Sequence, residues 1–201
     1  MQEIRLYSVV FFCAVAVITA DVIKTGYCLE ESFRHAAFQV GSIMTTAGFS
    51  SADFDVWPSL SRSILVLLMF IGGCAGSTCG GIKVSRILIY LKTVKKEIAQ
   101  LCHPRNVKVI KIDNKPLPHN VLRSANIFFI VYILIFSAST LLVSIDEFDL
   151  VTNFTAVASA LGNIGPGLSL VGPTCNFDIY SAFSKYILMF DMLAGRLELF
   201  P

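Results

Sequence analysis

Three stretches of this chain, Leu6–Ala20, Ser63–Ile82 and Ser124–Ile145, contain no Asp, Glu, Lys or Arg. A helix that crosses a bilayer needs roughly 20 mainly apolar residues, and these stretches approach that length. A fourth candidate, Tyr186–Pro201, is interrupted by Asp191, Arg196 and Glu198 and reads as a truncated last span. Composition agrees: 55% of the residues are hydrophobic and 15% charged, against about 25% charged in soluble domains. Lipid is therefore the expected solvent. The first stretch has the alternative of a cleaved leader, with Arg5 before it and small residues near Ala20, but Glu3 weakens the basic start that a leader needs.

The net charge of +2 is less informative than its distribution. Ten of the sixteen basic residues lie between Lys83 and Arg123, among them Lys92, Lys95, Lys96, Arg105, Lys108, Lys111 and Lys115, opposed only by Glu97 and Asp113. Cytoplasmic loops carry such an excess, which places this segment and the N-terminus inside. The other side carries Asp21, Glu30, Glu31, Asp53, Asp55, Asp146, Glu147, Asp149 and Asp178. An acidic mouth of this kind concentrates cations. No nucleic-acid partner is expected.

The chain repeats one layout: an apolar span, an acidic patch, a shorter helix-like stretch, a glycine turn and another span. Placing Gly48 over Gly165 sets Ser42 on Ser159, Thr46 on Asn163, and Phe33–Met44 on Leu150–Leu161. Ser32–Met44 and Asp149–Leu161 are too short to span comfortably. A short apolar segment followed by a glycine turn predicts a re-entrant loop, a helix that dips in from outside and returns as extended chain.

Two segments close those loops, Thr45-Thr46-Ala47-Gly48-Phe49 and Gly162-Asn163-Ile164-Gly165-Pro166-Gly167. Rings of backbone carbonyls select potassium by replacing its hydration shell. Aiming carbonyls inward needs unusual backbone angles, which Gly48 and Gly165 can adopt. The C-terminal end of each short helix also directs about half a negative charge at the same ion. A third segment, Gly72-Gly73-Cys74-Ala75-Gly76-Ser77-Thr78-Cys79-Gly80-Gly81, has five glycines in ten residues. At about 1 kcal/mol each relative to alanine, they predict a helix broken inside the membrane, tolerable only where the backbone is buried or lines a cavity.

The cysteines supply no framework. Cys13, Cys74 and Cys79 lie in predicted spans, and Cys28 and Cys175 could pair outside although no spacing argues for it. His35, His103 and His119 are scattered, which disfavours zinc. Asn153-Phe154-Thr155 matches a glycosylation pattern but falls inside a predicted short helix. No nucleotide-binding loop, catalytic triad or metal cluster is visible.

With Thr45–Phe49, GGCAGSTCGGIK at Gly72–Lys83, GNIGPG at Gly162–Gly167 and Gly195-Arg196-Leu197-Glu198 in this order and spacing, the chain resembles the Trk/Ktr/HKT potassium transporter family, and most closely its TrkH-type subunits. The resemblance covers essentially the whole chain. It implies an all-α integral membrane protein of the bacterial inner membrane, not an enzyme, built from M1-P-M2 repeats (helix, re-entrant pore loop, helix) around a pseudo-fourfold cation pore.

On that reading residues 1–100 hold the third repeat with a broken M2 helix, 101–121 a cytoplasmic linker, and 122–201 a fourth repeat truncated in its last helix. The first two repeats are absent. The resemblance further implies potassium as the bound ion, a selectivity filter at Thr45, Thr46, Ala47, Gly48, Phe49, Gly162, Asn163, Ile164 and Gly165, and a gate at Gly72, Gly73, Ala75, Gly76, Ser77, Thr78, Gly80 and Gly81. Arg196 would project into the pore near that loop, Glu198 being its alternative partner. A TrkA-type nucleotide-binding ring would dock on the basic side, and the assembly would be a homodimer, working passively or as a symporter.

Asp191 has no implied role and is expected to offset Arg196 or face water. Three other readings stand beside this one: a sodium-coupled or sodium-permeable member of the same superfamily, a membrane redox enzyme using Cys74, Cys79 and His103, and a structural module whose glycines serve helix packing.

Overall fold

The computed structural model describes residues 2–102, 111–113 and 115–197 of the chain. Besides five three-residue 3-10 turns, seven α-helices and one small hairpin account for its regular structure among these residues: α1 (Gln2–Val22), α2 (Leu29–Met44), α3 (Ser59–Met69), α4 (Val84–Cys102), β1 (Lys111–Ile112), β2 (Lys115–Pro116), α5 (His119–Val143), α6 (Leu150–Gly162) and α7 (Ala182–Arg196). The strands pair antiparallel, Lys111 opposite Pro116.

Two helices, Gln2–Thr25 and Asn120–Asp146 with their closing 3-10 turns, are long and apolar enough to cross a bilayer. Only 28% and 22% of their most apolar windows are buried. A soluble core helix would be mostly covered. Around α5, Ile130, Leu134 and Leu141 stand exposed, an arrangement suited to lipid and unfavourable in water.

The helices form two sets. In the first, α1 packs on α2, α3 and α4; in the second, α5 packs on α6 and α7, and the sets meet through α3 against α6 and α4 against α5. Val15, Ile18 and Val22 of α1 are buried with Val40, Ile43 and Met44 of α2 and Leu65 of α3. The second core gathers Val143, Ala156, Val157, Ala160 and Leu188. Arg86 of α4 lies 3.9 Å above the Phe128 ring of α5, a cation–π contact that joins the two sets.

Both sets use an acid near the end of the first helix to receive a donor from the start of the third. Asp21 accepts the Ser61 hydroxyl at 2.8 Å and Lys24 at 3.2 Å. Asp146 accepts the Ser181 amide at 3.0 Å, and Ser181 caps α7 by accepting the Ser184 amide at 3.3 Å. Asp149 caps α6 through the Val151 amide at 3.2 Å.

The expected break occurs where the glycines are. Helix α3 stops at Met69 and α4 begins at Val84. Helix α4 then continues through Lys92 to Cys102, so the start of the basic segment is helical, and residues 103–110 and 114 of the 101–121 linker, His103 among them, lie outside the described residues. The N-terminal end of α1 is tied to this side: the Gln2 amide donates to Asp113 at 3.0 Å, and Lys92 donates to the Gln2 side chain. Cys28 and Cys175 are both free and exposed. Asn153 is fully buried, its amide donating to the Phe148 carbonyl at 3.1 Å and its oxygen accepting Tyr180 at 3.1 Å; a glycan cannot reach it.

Candidate functional site

Helices α2 and α6 end in the same backbone motif, at the positions the internal repeat pairs. After α2, the Thr46 amide donates to Ile43 at 3.1 Å and the Ala47 amide to Ser42 at 2.9 Å; after α6, Asn163 donates to Ala160 at 3.1 Å and Ile164 to Ser159 at 3.0 Å. These two bonds define a Schellman ending, which requires one residue in the left-handed region. That residue is Thr46 in one turn and Asn163 in the other, each with φ 53°. Asn tolerates this region, but a β-branched threonine rarely does, and strain of this kind concentrates at functional sites.

Gly48 follows with φ 80° and Gly165 with φ 118°. Positive φ at the first and third residues, flanking Ala47 and Ile164, bends both segments alike.

A buried serine under each turn fixes it. The Ser42 hydroxyl donates to the Phe49 carbonyl at 2.6 Å. Ser159 donates to the Gly165 carbonyl at 2.7 Å and accepts the Gly165 amide at 3.0 Å. Among the described residues, the carbonyls of Thr46, Ala47, Gly48, Asn163 and Ile164 accept no hydrogen bond, so they stand free to face a cation.

The turns lie side by side: a Cβ on Gly48 would stand 2.3 Å from the Ile164 carbonyl oxygen, and one on Gly165 3.5 Å from Gly48 Cα. Ser159→Ala removes both bonds under the second turn and leaves a buried amide unpaired. It is expected to cost about 1–3 kcal/mol, read as a lower thermal midpoint of the complete protein in detergent, with Ser42→Ala costing less because it loses one bond.

The glycine-rich segment folds back against these turns. Its neck is closed by Gly72 N–H to Ile82 at 2.9 Å, Ile82 N–H to Phe70 at 3.0 Å and Val84 N–H to Gly73 at 3.1 Å. A Cβ on Gly72 would meet the Gly80 carbonyl at 2.1 Å, and one on Gly80 the Gly162 carbonyl at 2.3 Å. Gly76 and Gly81 turn the chain with φ 82° and 72°. The Cys79 thiol donates to the Thr45 carbonyl at 3.2 Å and accepts the Ser77 hydroxyl at 2.9 Å.

Charged side chains from α1, from α7 and from the residue just before α4 hold the loop. Glu3 of α1 accepts the Ala75 amide at 2.6 Å. Lys83, almost wholly buried, donates to the Ser77 carbonyl and, at 2.9 Å, to the Cys79 carbonyl. Arg196 of α7 donates to the Thr78 carbonyl between them. Three consecutive loop carbonyls thus accept from two cations. Helix α7 reaches this position because Gly195 has no side chain: a Cβ there would lie 2.0 Å from the Leu161 carbonyl. Asn163 adds a bond from its amide to Met192 at 3.1 Å.

The structure therefore brings together Thr45–Gly48, Gly162–Gly165, the loop and Arg196. Glu198 lies outside the described residues. Asp191 departs from expectation: it is fully buried and accepts the Ser139 hydroxyl of α5 at 2.7 Å, so it faces neither water nor Arg196. Four contributors were given no such role from the sequence: Lys83 and Glu3, and Ser42 and Ser159, which the repeat had paired without assigning them one. Lys83 closes the glycine motif in sequence, which was its available signal. Cys79, considered for redox chemistry, has a hydroxyl and a carbonyl as its hydrogen-bonding neighbours; among the described residues no three His, Cys, Asp or Glu side chains gather to hold a metal.

A family model described as "TrkH: Cation transport protein" matches residues 4–201. The Trk system potassium uptake protein TrkH of Halomonas elongata is 36% identical over 196 residues, covering 96% of this chain and 40% of that protein. The TrkH protein of Escherichia coli K12 is 41% identical over 169 residues, 84% of this chain and 35% of that protein. The crystal structure of the potassium transporter TrkH from Vibrio parahaemolyticus superposes with a TM-score of 0.88 at 37% identity, covering 98% of this chain and 42% of that one. The chain thus spans about two fifths of the length of the relatives it matches.

Proposed function

The chain belongs to the TrkH family of cation transport proteins, and on that premise we propose that it supplies two of the M1-P-M2 repeats of a potassium uptake pore, the third and fourth. One observation carries the reading: two turns with the same Schellman bonds stand side by side at the C-terminal ends of two short helices, and among the described residues the carbonyls of Thr46, Ala47, Gly48, Asn163 and Ile164 accept no hydrogen bond. Each helix end adds partial negative charge, and carbonyls held by a rigid frame replace water around a dehydrated cation. Thr45–Phe49 and Gly162–Gly165 would then be half of the filter, completed by two repeats that this chain does not contain.

The path of an ion follows from the charges. Acidic residues outside would gather cations. One of them, Asp178, is held below the usual carboxylate range by its hydrogen bond from Lys185 at 2.6 Å and by that lysine's charge, so it stays ionised. The ion would pass the carbonyls and meet the loop Gly72–Gly81, whose inner face carries the ammonium of Lys83 and the guanidinium of Arg196. Two cations at that position oppose a third, which supports the loop as the gate. In this reading the protein sits in the bacterial inner membrane, pairs as a homodimer and receives a TrkA-type ring on its basic side.

The test is uptake of rubidium by potassium-starved cells lacking their own transporters and expressing the complete protein, with sodium in excess. Concentrative or gradient-driven rubidium entry that sodium fails to compete supports potassium selection. Equal entry of sodium would favour the sodium-permeable alternative, and no entry of either would remove the transport reading.

A further inference from the structure

The chain that leaves the second turn folds into a small loop from Gly165 to Gly172. Within it the Gly167 amide donates to Val171 at 2.7 Å and the Gly172 amide to Ser169 at 2.9 Å, while the Leu168 amide donates to the Thr155 hydroxyl of α6 at 3.0 Å. The Ser169 amide takes its acceptor from the other helix set. It donates to the Asp55 carboxylate at 3.1 Å, across 114 residues. Ser169 holds φ 60°, a left-handed conformation that is uncommon for serine and persists only where the surroundings hold it.

Asp55 is itself fixed. It lies in the 3-10 turn Phe54–Val56, and its amide donates to the Asp53 side chain at 3.0 Å. Phe54 and Trp57 on either side are buried in the first core. Arg62 of α3 stands 3.7 Å from the same oxygen that accepts Ser169, and a Cβ on Gly172 would lie 3.8 Å from Asp55 Cβ. The segment between Gly48 and Asp55 is fastened within its own set: Ser42 holds the Phe49 carbonyl, and Gln39 donates to the Ser50 hydroxyl and the Ala52 carbonyl. The tail of the first turn is therefore a rigid arm, from which Asp55 reaches the tail of the second.

We propose that Asp55 is a positioning residue of the ion path: by holding Ser169 it keeps the second turn, Gly162–Gly165, in register with the first, and so helps to set which cation the paired carbonyls accept. The inference rests on the filter reading of the two turns. Ser159 fixes Gly165 from α6, and Asp55 fixes the segment that follows. A hydrogen bond to a charged acceptor is among the stronger ones. Because the turns touch, Gly48 against Ile164 and Gly165, a shift of the second changes the spacing of carbonyls between them. A role as an exposed acid that only attracts cations to the mouth would need the charge of Asp55 and not its bond to an amide.

The two roles separate in the complete protein, purified as monodisperse material and reconstituted in proteoliposomes, by rubidium uptake against sodium at low and at high ionic strength. Asp55→Ala is expected to lower the preference for rubidium over sodium roughly tenfold, and to do so at both ionic strengths because the effect is one of shape. Asp55→Asn keeps an oxygen for the Ser169 amide and loses the charge, and it is expected to retain most of the preference. The proposal is overturned if Asp55→Asn loses as much preference as Asp55→Ala. It is overturned equally if both variants keep the preference and merely slow uptake at low ionic strength, where exposed charges are least screened. Gly48→Ser, measured alongside, separates this inference from the reading beneath it. Preference lost there and kept in Asp55→Ala overturns the role of Asp55 alone, whereas preference kept in both variants removes the filter reading as well.

Discussion

In the complete protein, Gly48→Ser is expected to lower the preference for potassium over sodium by roughly 5- to 150-fold, the range that about 1–3 kcal/mol of displaced backbone implies. Two effects combine there. The residue holds φ 80°, and its Cβ would fall 2.3 Å from the Ile164 carbonyl oxygen, an atom of the neighbouring turn that no rotamer can move. The substitution therefore dislocates both turns at once. Gly165→Ser imposes the same kind of strain at φ 118° but makes only ordinary van der Waals contact, its nearest neighbour being Gly48 Cα at 3.5 Å. It is expected to be the milder of the two.

Gly76→Ser is the control, because φ 82° brings strain with nothing within 4 Å of the new Cβ, and it should leave selectivity alone. Competition of sodium with rubidium uptake, compared across the three variants at equal expression, gives the order. Unchanged permeability ratios in Gly48→Ser would count against the filter assignment.

Arg196→Gln is expected to act on rate instead. Arg196 donates to the Thr78 carbonyl while Lys83 holds those of Ser77 and Cys79, so the loop is fastened from both helix sets. A hydrogen bond to a charged group contributes about 1.5–3 kcal/mol, and its loss should raise potassium flux by roughly tenfold or more. The turns above are untouched, and the selectivity of this variant should match wild type. Arg196→Lys keeps the charge without the planar fork and is expected to fall between. Flux measured in proteoliposomes decides the matter; a normal or reduced rate in a properly folded Arg196→Gln protein would mean that the loop does not limit passage.

The pairing of the two turns was legible in the sequence because a fixed offset carried Thr46 onto Asn163 and Gly48 onto Gly165, and the left-handed and positive-φ residues fall at those positions. The helix break was legible for a related reason: glycine acts locally, and five of them leave no helix to form. What holds the loop was not. Glu3 meets Ala75 across 72 residues and Arg196 meets Thr78 across 118, and no periodicity encodes such a distance.

The serines beneath the turns look ordinary in sequence, since a Ser near a helix end has many uses. Asp191 misled for the opposite reason. An acid in an apolar span suggests water or a cation, and only the packing of α5 against α7 reveals the Ser139 hydroxyl that receives it. The basic run after Lys83 indicated a side of the membrane but nothing about backbone, and α4 carries it as helix to Cys102.

The first residues of α1 touch two separate elements of the chain. Gln2 is fastened to Asp113 and to Lys92, while Glu3, its immediate neighbour, grips the Ala75 amide at the tip of the glycine loop. A single peptide unit thus works as a strut between the basic side and the loop. Any body that shifts the hairpin or the middle of α4 tugs on the loop tip with almost no slack, and, by the same mechanics, a loop that swings away must loosen the hairpin.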